Sequence, residues 1–367
     1  MKTIRRLIYR EVFAAVVFVA VGFLALFFFF DFVDDLPNVG RVGDAYRMTQ
    51  ALAYVTLMIP SHLYELLPIA VLIGTIFVMA RLAQSSEYTI LRTSGLGPWR
   101  ALRTLLALGL IFTLLTFAAG DYLAPVADRT AQLLKARLEG RISIGQTGAW
   151  LKEKQAFHTY NVNVNSLTPE GDLRGVRIFE SDSRGFLVSV TQAPKGRFDD
   201  DGAWTLENAQ RSEFTTNAGD VARVDRVNLP SLRWPTEITP EMVSVALLQP
   251  ERMSTIDLFQ YIRHLEVNGQ TSQRYEIEFW RKVFYPLSCM VMVVLALPFA
   301  YLHFRAGGIT SYVFVGVLIG ISFFLLNNVF GYIGNLQNWR PWLTAAAPGL
   351  IYSMFSLGAF GWLVLRR

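Results

Sequence analysis

The chain has 367 residues, with 34 lysines and arginines against 29 aspartates and glutamates, a net charge of +5. A hydrophobic content of 52%, only 17% charged residues and a mean hydropathy of +0.33 exclude an ordinary soluble globular protein and point to an integral membrane protein. The positive charge is spread along the chain and not gathered with aromatics in one soluble block, so it does not describe a nucleic-acid binder. The single Cys289, set in an apolar run, leaves no material for disulfides or cysteine metal sites.

Lys2, Arg5, Arg6 and Arg10 precede an apolar run from Val12 to Phe30, close to the roughly 20 residues a spanning helix needs. No small-residue cleavage site follows, so the run reads as a retained helix whose cationic end lies in the cytoplasm. Its far end is acidic, with Asp31, Asp34, Asp35 and Asp44 against Arg41 and Arg47. A second apolar stretch, Ala51 to Ala80, is interrupted by Pro60, His62, Glu65 and Pro68. Leu66 to Ala80 is its uninterrupted part, and the residues before it are expected to form a broken or interfacial turn.

Arg81 to Arg103, RLAQSSEYTILRTSGLGPWRALR, is polar and carries Arg81, Arg92, Arg100 and Arg103 against Glu87 alone, which predicts a cytoplasmic loop. Within it Ser86 is a good N-cap, Glu87 suits the helix dipole, Gly95 is a natural stop and Pro98 forbids continuation. The result is a helix of about eight residues, too short to span, with Tyr88 and Leu91 on one face and Ile90 alongside. Such a helix either lies on the membrane surface or docks on a soluble partner. Trp99 marks the interface before a third span, Ala101 to Ala119.

From Asp121 to about Glu278 no long apolar run occurs. Asp128 to Glu139 reads as an amphipathic extension of the third helix. Alternating segments follow at Ala156 to Val164, Leu173 to Phe179, Phe186 to Ala193, Trp204 to Phe214 and Val221 to Leu232. They are separated by turn signals such as Pro169-Glu170-Gly171-Asp172, Ser183-Arg184-Gly185 and Asp199-Asp200-Asp201-Gly202. This spacing predicts an antiparallel sandwich or roll. Ser254 to Asn268 is a capped amphipathic helix stopped by Gly269. Three spans close the chain, Phe284 to Leu302, Ile309 to about Phe330 and Trp342 to Leu365, with His303 and Arg305 after the first and Arg366-Arg367 at the end.

The expected architecture is therefore an α-helical membrane protein of six transmembrane helices, three and three, around an inserted all-β domain. Residues 1–125 hold helices one to three, 126–275 the β domain with flanking helices, and 276–367 helices four to six. Alternation of charge puts both termini in the cytoplasm and residues of about 121–278 on the far side.

Soluble enzyme signatures are absent: there is no GxxxxGK[ST] phosphate loop, HExxH, GxSxG or paired-cysteine set. His62, His158, His264 and His303 fall on different elements, so no metal site is expected. Nor does the chain carry an energy source, and any work it does needs nucleotide hydrolysis by a partner. Glu65 and Asp121 are the ionisable residues expected in or near the apolar stretches, too few for an ion-coupled transporter. Asn327 and Asn328 suit helix-to-helix hydrogen bonding.

Aromatic residues are dense in two of the spans. Phe23, Phe27 and Phe30 crowd the outer half of the first span, and Phe323 with Leu326 lies in the fifth. As a set they suit an acyl-chain cavity, with Arg41, Arg47, Arg129, Lys135 and Arg137 as candidates for an anionic head group; taken singly, each is an ordinary packed or solvated side chain.

Four stretches carry a family resemblance: RRLIYREVFAAV at the start, RLAQSSEYTILRTSGLG after the second span, GDYLAPVADRTAQ after the third, and RYEIEFWRKVFYPLSCMVMVVLALPF leading into the fourth. Together, over nearly the whole chain, they resemble the lipopolysaccharide export permeases of the LptF/LptG (YjgP/YjgQ) type. Ser-Glu followed by Ser-Gly is the most specific feature, and the LAxPF-like fourth span points to the LptG branch.

The resemblance implies a half-transporter that pairs with an LptF-like sister permease and sits on a homodimeric LptB-like ATPase. It would extract lipopolysaccharide from the outer leaflet of the inner membrane. ATP and magnesium would bind the ATPase, and no cofactor this chain. The external domain would be a β-jellyroll continuing into a bridge of LptC-like and LptA-like proteins. The family's coupling helix falls on Ser85 to Ser94, with Ser85, Ser86, Glu87, Tyr88, Leu91 and Arg92 as its candidate contacts. Glu87 would pair with an arginine of the ATPase groove while Tyr88 and Leu91 fill it.

The chain departs from that family's pattern at the outer end of the first span. Lysines common there are replaced by Asp31, Asp34, Asp35, Pro37 and Asn38, leaving Arg41, Arg47 or an ion bridging the aspartates as ways to meet a phosphate; Lys135 matches the family's basic positions best. A mechanotransmitting ABC permease that moves no lipid, and a membrane-anchored sensor or scaffold, remain as other classes.

Overall fold

Apolar runs flanked by cations and interrupted by one alternating stretch dictate two kinds of structure, and the computed structural model shows both. It describes residues 2–40, 46–85, 87–93, 95, 97–139, 148–155, 157–168, 171–199, 201–215, 223–240, 242–243, 250–301 and 308–365. The chain divides into two compact units, one of residues 1–35, 55–127 and 273–367, the other of residues 36–54 and 128–272. The linear division leaves residues 36–54 with the first three spans.

The first unit is helical. Its elements are α1 (Lys2–Asp35), most of α2 (Met48–Gln84), α3 (Glu87–Thr93), α4 (Pro98–Ala118) and the π-helical turn Ala119–Leu123 that leads into α5 (Ala124–Glu139). The later part holds α7 (Gln273–Phe284), α8 (Ser288–Leu295), the 3-10 turn Leu297–Tyr301, α9 (Ile309–Leu336) and α10 (Pro341–Leu365). Among the described residues five helices are long and apolar enough to cross a membrane, and α7 with α8 passes the same test as a pair bent by 49°. The bend falls at Tyr285, Pro286 and Leu287, where proline has no N–H to continue the α7 ladder.

Two expectations change here. α2 runs unbroken through Pro60 and Pro68, where the sequence suggests a break. The most apolar window of α2 is 83% buried, against 17% for α1 and for α9, so α2 is the hub of the bundle. Neighbouring helices hold its frame where each proline removes one backbone bond. The second change concerns charge. Glu278, Arg281 and Lys282 on α7 are drawn into the unit: Arg281 Nη1 lies 3.0 Å from Glu278 Oε1, Arg281 Nη2 donates to Asn328 Oδ1 at 3.0 Å, and Lys282 Nζ donates to the Gly120 carbonyl of the π-turn at 3.0 Å. A bend at Pro286 brings this polar, C-terminal part of α7 against the bundle. Asn328 serves the expected helix-to-helix hydrogen bond, whereas Asn327 bonds Phe323 O on its own helix.

The bundle is held by close approach at small residues. A Cβ on Gly74 would stand 2.8 Å from the Val16 backbone nitrogen, one on Gly109 2.9 Å from Met290 Cα, and one on Gly320 2.7 Å from Ile69 Cγ2. Glycine at these points lets α1, α8 and α9 reach the surfaces they pack on, the usual device where no hydrophobic force separates helix from lipid.

The second unit is built on one antiparallel sheet of six strands: β1 (Ala149–Lys154), β2 (His158–Leu167), β3 (Leu173–Asp182), β4 (Leu187–Phe198), β5 (Trp204–Thr215) and β6 (Arg223–Trp234), in sequential order. The all-β expectation holds, and it is met by a single meander, not by two stacked sheets. β1 has no counterpart among the expected strands. The expected turn residues Pro169, Glu170 and Asp200 lie outside the described residues.

One sheet face carries Leu151, Val162, Val164, Val176, Ile178 and Leu206, all buried. Trp204 is wholly buried on it, edge-on to Trp234 at 5.2 Å, and its Nε1 donates to Ile238 O at 3.0 Å. Farther along the same face the pattern turns polar. Glu180 accepts from Ser189 Oγ at 2.6 Å and from Arg211 Nη2 at 3.1 Å. α6 (Thr255–Val267) follows with the expected N-terminus, Ser254 and Asp257 forming a reciprocal capping box, and Gly269 at φ +61° beyond its end.

Candidate functional site

α3 is the element whose sequence least resembles its surroundings. Glu87 in its first turn and Arg92 in its last both suit the helix dipole. Gly95, at φ +102°, turns the chain after it, and its carbonyl accepts from Arg100 Nη1 at 2.9 Å. Pro98 then opens α4 behind Gly97. Ser85 closes α2, its hydroxyl donating to Arg81 O at 3.1 Å. Ser86 lies outside the described residues.

The face that α3 turns inward is the reverse of the one expected. Tyr88 is 2% exposed and sits edge-on to Tyr301 at 5.0 Å. Leu91 is half-buried against the helical core, and the Arg92 guanidinium lies 5.4 Å from the Tyr301 ring centroid. Tyr88 and Leu91 therefore do not stand free to fill a partner's groove. Residues 88, 91 and 92 share one face by helical spacing, and the face left outside presents exposed Glu87 and Ile90, the latter 62% exposed. Trp99 is also exposed, touching Phe360 edge-on at 5.6 Å.

The same end of the bundle is tied together around α3. Arg81 Nη2 lies 2.7 Å from Glu11 Oε2, joining α2 to α1, and Tyr9 Oη donates to Thr104 O at 3.2 Å, joining α1 to α4. Sequence reading did not single out Tyr301, Tyr9 or Glu11. An aromatic residue shortly before His303 and Arg305 was the only local signal for Tyr301.

At the other end of the unit the acidic residues of α1 are helical rather than in a loop. Asp31 Oδ2 is 2.6 Å from His62 Nε2, and the His62 ring is 5.0 Å from that of Phe27. Asp31 is thus already engaged by a side chain of α2. Phe23 and Phe27 are half-buried, Phe30 is exposed and Leu326 half-buried. Phe323 does not line an open surface: it is 1% exposed, stacked with Tyr285 at 6.1 Å and edge-on to Tyr352 at 5.2 Å. As a core residue between α7–α8 and α10 it is withdrawn from the acyl-chain set.

Among the basic candidates, Arg47 is exposed just before α2 and Arg129 is exposed on α5. Lys135 Nζ stands 4.8 Å above the Tyr54 ring, a cation–π contact that fixes its position. Arg41 and the side chain of Arg137 lie outside the described residues. No group of three or more histidine, cysteine, aspartate or glutamate side chains gathers as a metal site among the described residues.

Apolar helices of spanning length, a short helix between two of them and an antiparallel sheet inserted in the chain before the last spans describe a polytopic membrane protein with an inserted β unit. The family model described as lipopolysaccharide export system permease LptF/LptG matches residues 6–366, and the chain belongs to that family. Two relatives named lipopolysaccharide export system permease protein LptG show the same extent. The one from Escherichia coli (strain K12) is 27% identical over 365 residues, covering 99% of this chain and 98% of its own. The one from Haemophilus influenzae is 25% identical over 368 residues, covering 100% and 99%. The chain is accordingly a multi-pass inner-membrane permease for lipopolysaccharide export.

Proposed function

We propose that this chain is the LptG-type half of an ABC exporter that takes lipopolysaccharide from the outer leaflet of the inner membrane. A separate homodimeric ATPase, which binds the ATP and magnesium, drives it, and an LptF-like permease completes the membrane part. The cargo passes to a periplasmic bridge of LptC-like and LptA-like proteins. The observation that carries the ATPase coupling is the outward face of α3, where Glu87 and Ile90 stand exposed between α2 and α4. A carboxylate beside an apolar anchor fits a partner groove offering an arginine and an apolar floor.

In this reading both termini and α3 are cytoplasmic, in keeping with Arg5, Arg6 and Arg10 before α1 and Arg81, Arg92, Arg100 and Arg103 around α3. The β unit is periplasmic. Arg41, Arg47, Arg129, Lys135 and Arg137 supply the positive charge for the head group, and Phe23, Phe27, Phe30 and Leu326 the apolar surface for acyl chains.

The test is coexpression with the genomic neighbours, followed by mass spectrometry of copurified proteins and lipids and by transport in proteoliposomes. A second permease, an ATPase and bound lipopolysaccharide are expected, and Glu87→Ala is expected to accumulate in the membrane yet abolish transport. An ATPase without bound lipopolysaccharide supports mechanotransmission instead. Normal transport by Glu87→Ala would sink the coupling assignment.

A further inference from the structure

We infer that Tyr301 is the residue through which movement of α3 reaches the fourth span, a positioning residue for the transport cycle; this rests on the ATP-coupled reading above.

Three of the attachments of α3 to the bundle bear on this transmission. It continues from α2 through Ser85, and it reaches α4 through a joint containing Gly95, at φ +102°, and Gly97. Gly95 stands in the left-handed region, so this joint is a turn and not a continuation of either helix.

The third attachment is made by side chains. Tyr88 and Arg92 are four residues apart, so they stand one above the other on one helix face. Both close on a single ring: the Tyr88 ring meets Tyr301 edge-on at 5.0 Å with 75° between planes, and the Arg92 guanidinium lies 5.4 Å from the same centroid. Tyr301 ends the 3-10 turn Leu297–Tyr301, whose Leu297 is 0% exposed and Ala300 4%. That turn follows directly on α8, which packs on α4 and α10 and meets α4 closely where Gly109 faces Met290.

A partner pressing on Glu87 and Ile90 therefore loads Tyr301 through the opposite face of the same helix. From there the load passes to α8, in the half of the chain that α2 and α4 do not belong to. Packed aromatic and cation contacts of this kind shift between discrete arrangements and do not stretch, which is what a transmitting contact requires.

The experiment compares wild type, Tyr301→Leu and Tyr301→Phe in the assembled exporter, measuring ATPase recovery, ATP hydrolysis and lipopolysaccharide released per ATP. Leucine keeps apolar volume and removes the ring that Tyr88 and Arg92 share. It is expected to keep the ATPase bound and hydrolysing while transport per ATP falls at least about fivefold, the lower end of common site-to-site couplings. Phenylalanine keeps the ring and should restore transport per ATP to within about twofold of wild type.

If Tyr301→Leu fails to accumulate, Arg92→Leu, which removes the cation from the ring, must itself lower transport per ATP. Wild-type transport per ATP in the variant that folds, or loss of coupling in Tyr301→Phe equal to that in Tyr301→Leu, overturns the inference. Failure of the ATP-coupled reading looks different: wild type itself then shows no ATP-dependent release.

Discussion

Gly74→Ala and Gly22→Ala make the same chemical change on two adjoining helices, and the structure predicts opposite outcomes. Each substitution gains about 1 kcal/mol of helix propensity over glycine. At Gly22 an added Cβ meets nothing within 4 Å, so that gain is kept. At Gly74 the Cβ would stand 2.8 Å from Val16 N, 2.9 Å from Val16 Cα and 2.9 Å from Val16 Cγ2, against ordinary contacts of 3.4–4 Å. Two of those atoms are backbone and cannot rotate aside, so α1 and α2 must part by about 0.6 Å along a seam where Val12, Val16 and Ala70 are buried. Overpacking of this kind costs about 1–3 kcal/mol. Because the propensity gain cancels between the two variants, their difference in stability measures the clash alone.

Thermal unfolding of the purified chain, followed by tryptophan fluorescence and by the monodisperse fraction surviving heating, gives the comparison. Gly22→Ala should melt at or above wild type and Gly74→Ala below Gly22→Ala by about 1–3 kcal/mol in stability. Equal melting of the two variants would refute the helix contact from which the figure is built.

Two further outcomes test other parts of the molecule. Charge reversal at Lys135 and Arg129 together should weaken binding of lipopolysaccharide, measured by native mass spectrometry, by about a hundredfold or more, since each lost charge-assisted contact is worth about 1.5–3 kcal/mol; unchanged binding removes these residues from the head-group set. His264 gives a pH signature. Burial holds its imidazole below the ordinary histidine range, outweighing the opposing pull of Glu153 and Glu237. As pH falls below about 6.5 the unfolded chain therefore takes up a proton that the folded chain resists, and stability is lost. The His264 contribution is fully present above that pH and declines below it toward the folded-state value. Melting of His264→Gln should show a flatter pH slope between about 6.5 and 5 than wild type, and an identical slope refutes the assignment.

Much of this protein is legible along the chain because water and lipid sort residues by simple periodicities. Apolar runs mark α1, α4, α9 and α10, Ser254 and Asp257 announce α6, and alternation marks five of six strands. β1 escapes because Trp150-Leu151-Lys152-Glu153-Lys154 has only one apolar pair, and its partner β2 supplies the face that buries Leu151. The run through Pro60 and Pro68 looks broken because proline costs a helix one bond locally, while burial of α2 among its neighbours keeps it whole.

At the candidate site the division is sharper. The sequence alone determines that a short helix lies between two spans and that Tyr88 and Leu91 share a face, with Ile90 read alongside them. Tertiary structure decides which face is spent inside. Tyr301, more than two hundred positions away in the chain, takes the first face, and so leaves Glu87 and Ile90 exposed on the second. Helical spacing is a property of neighbours along the chain, but burial is a property of whatever the fold brings alongside, and only the folded bundle brings Tyr301 to α3.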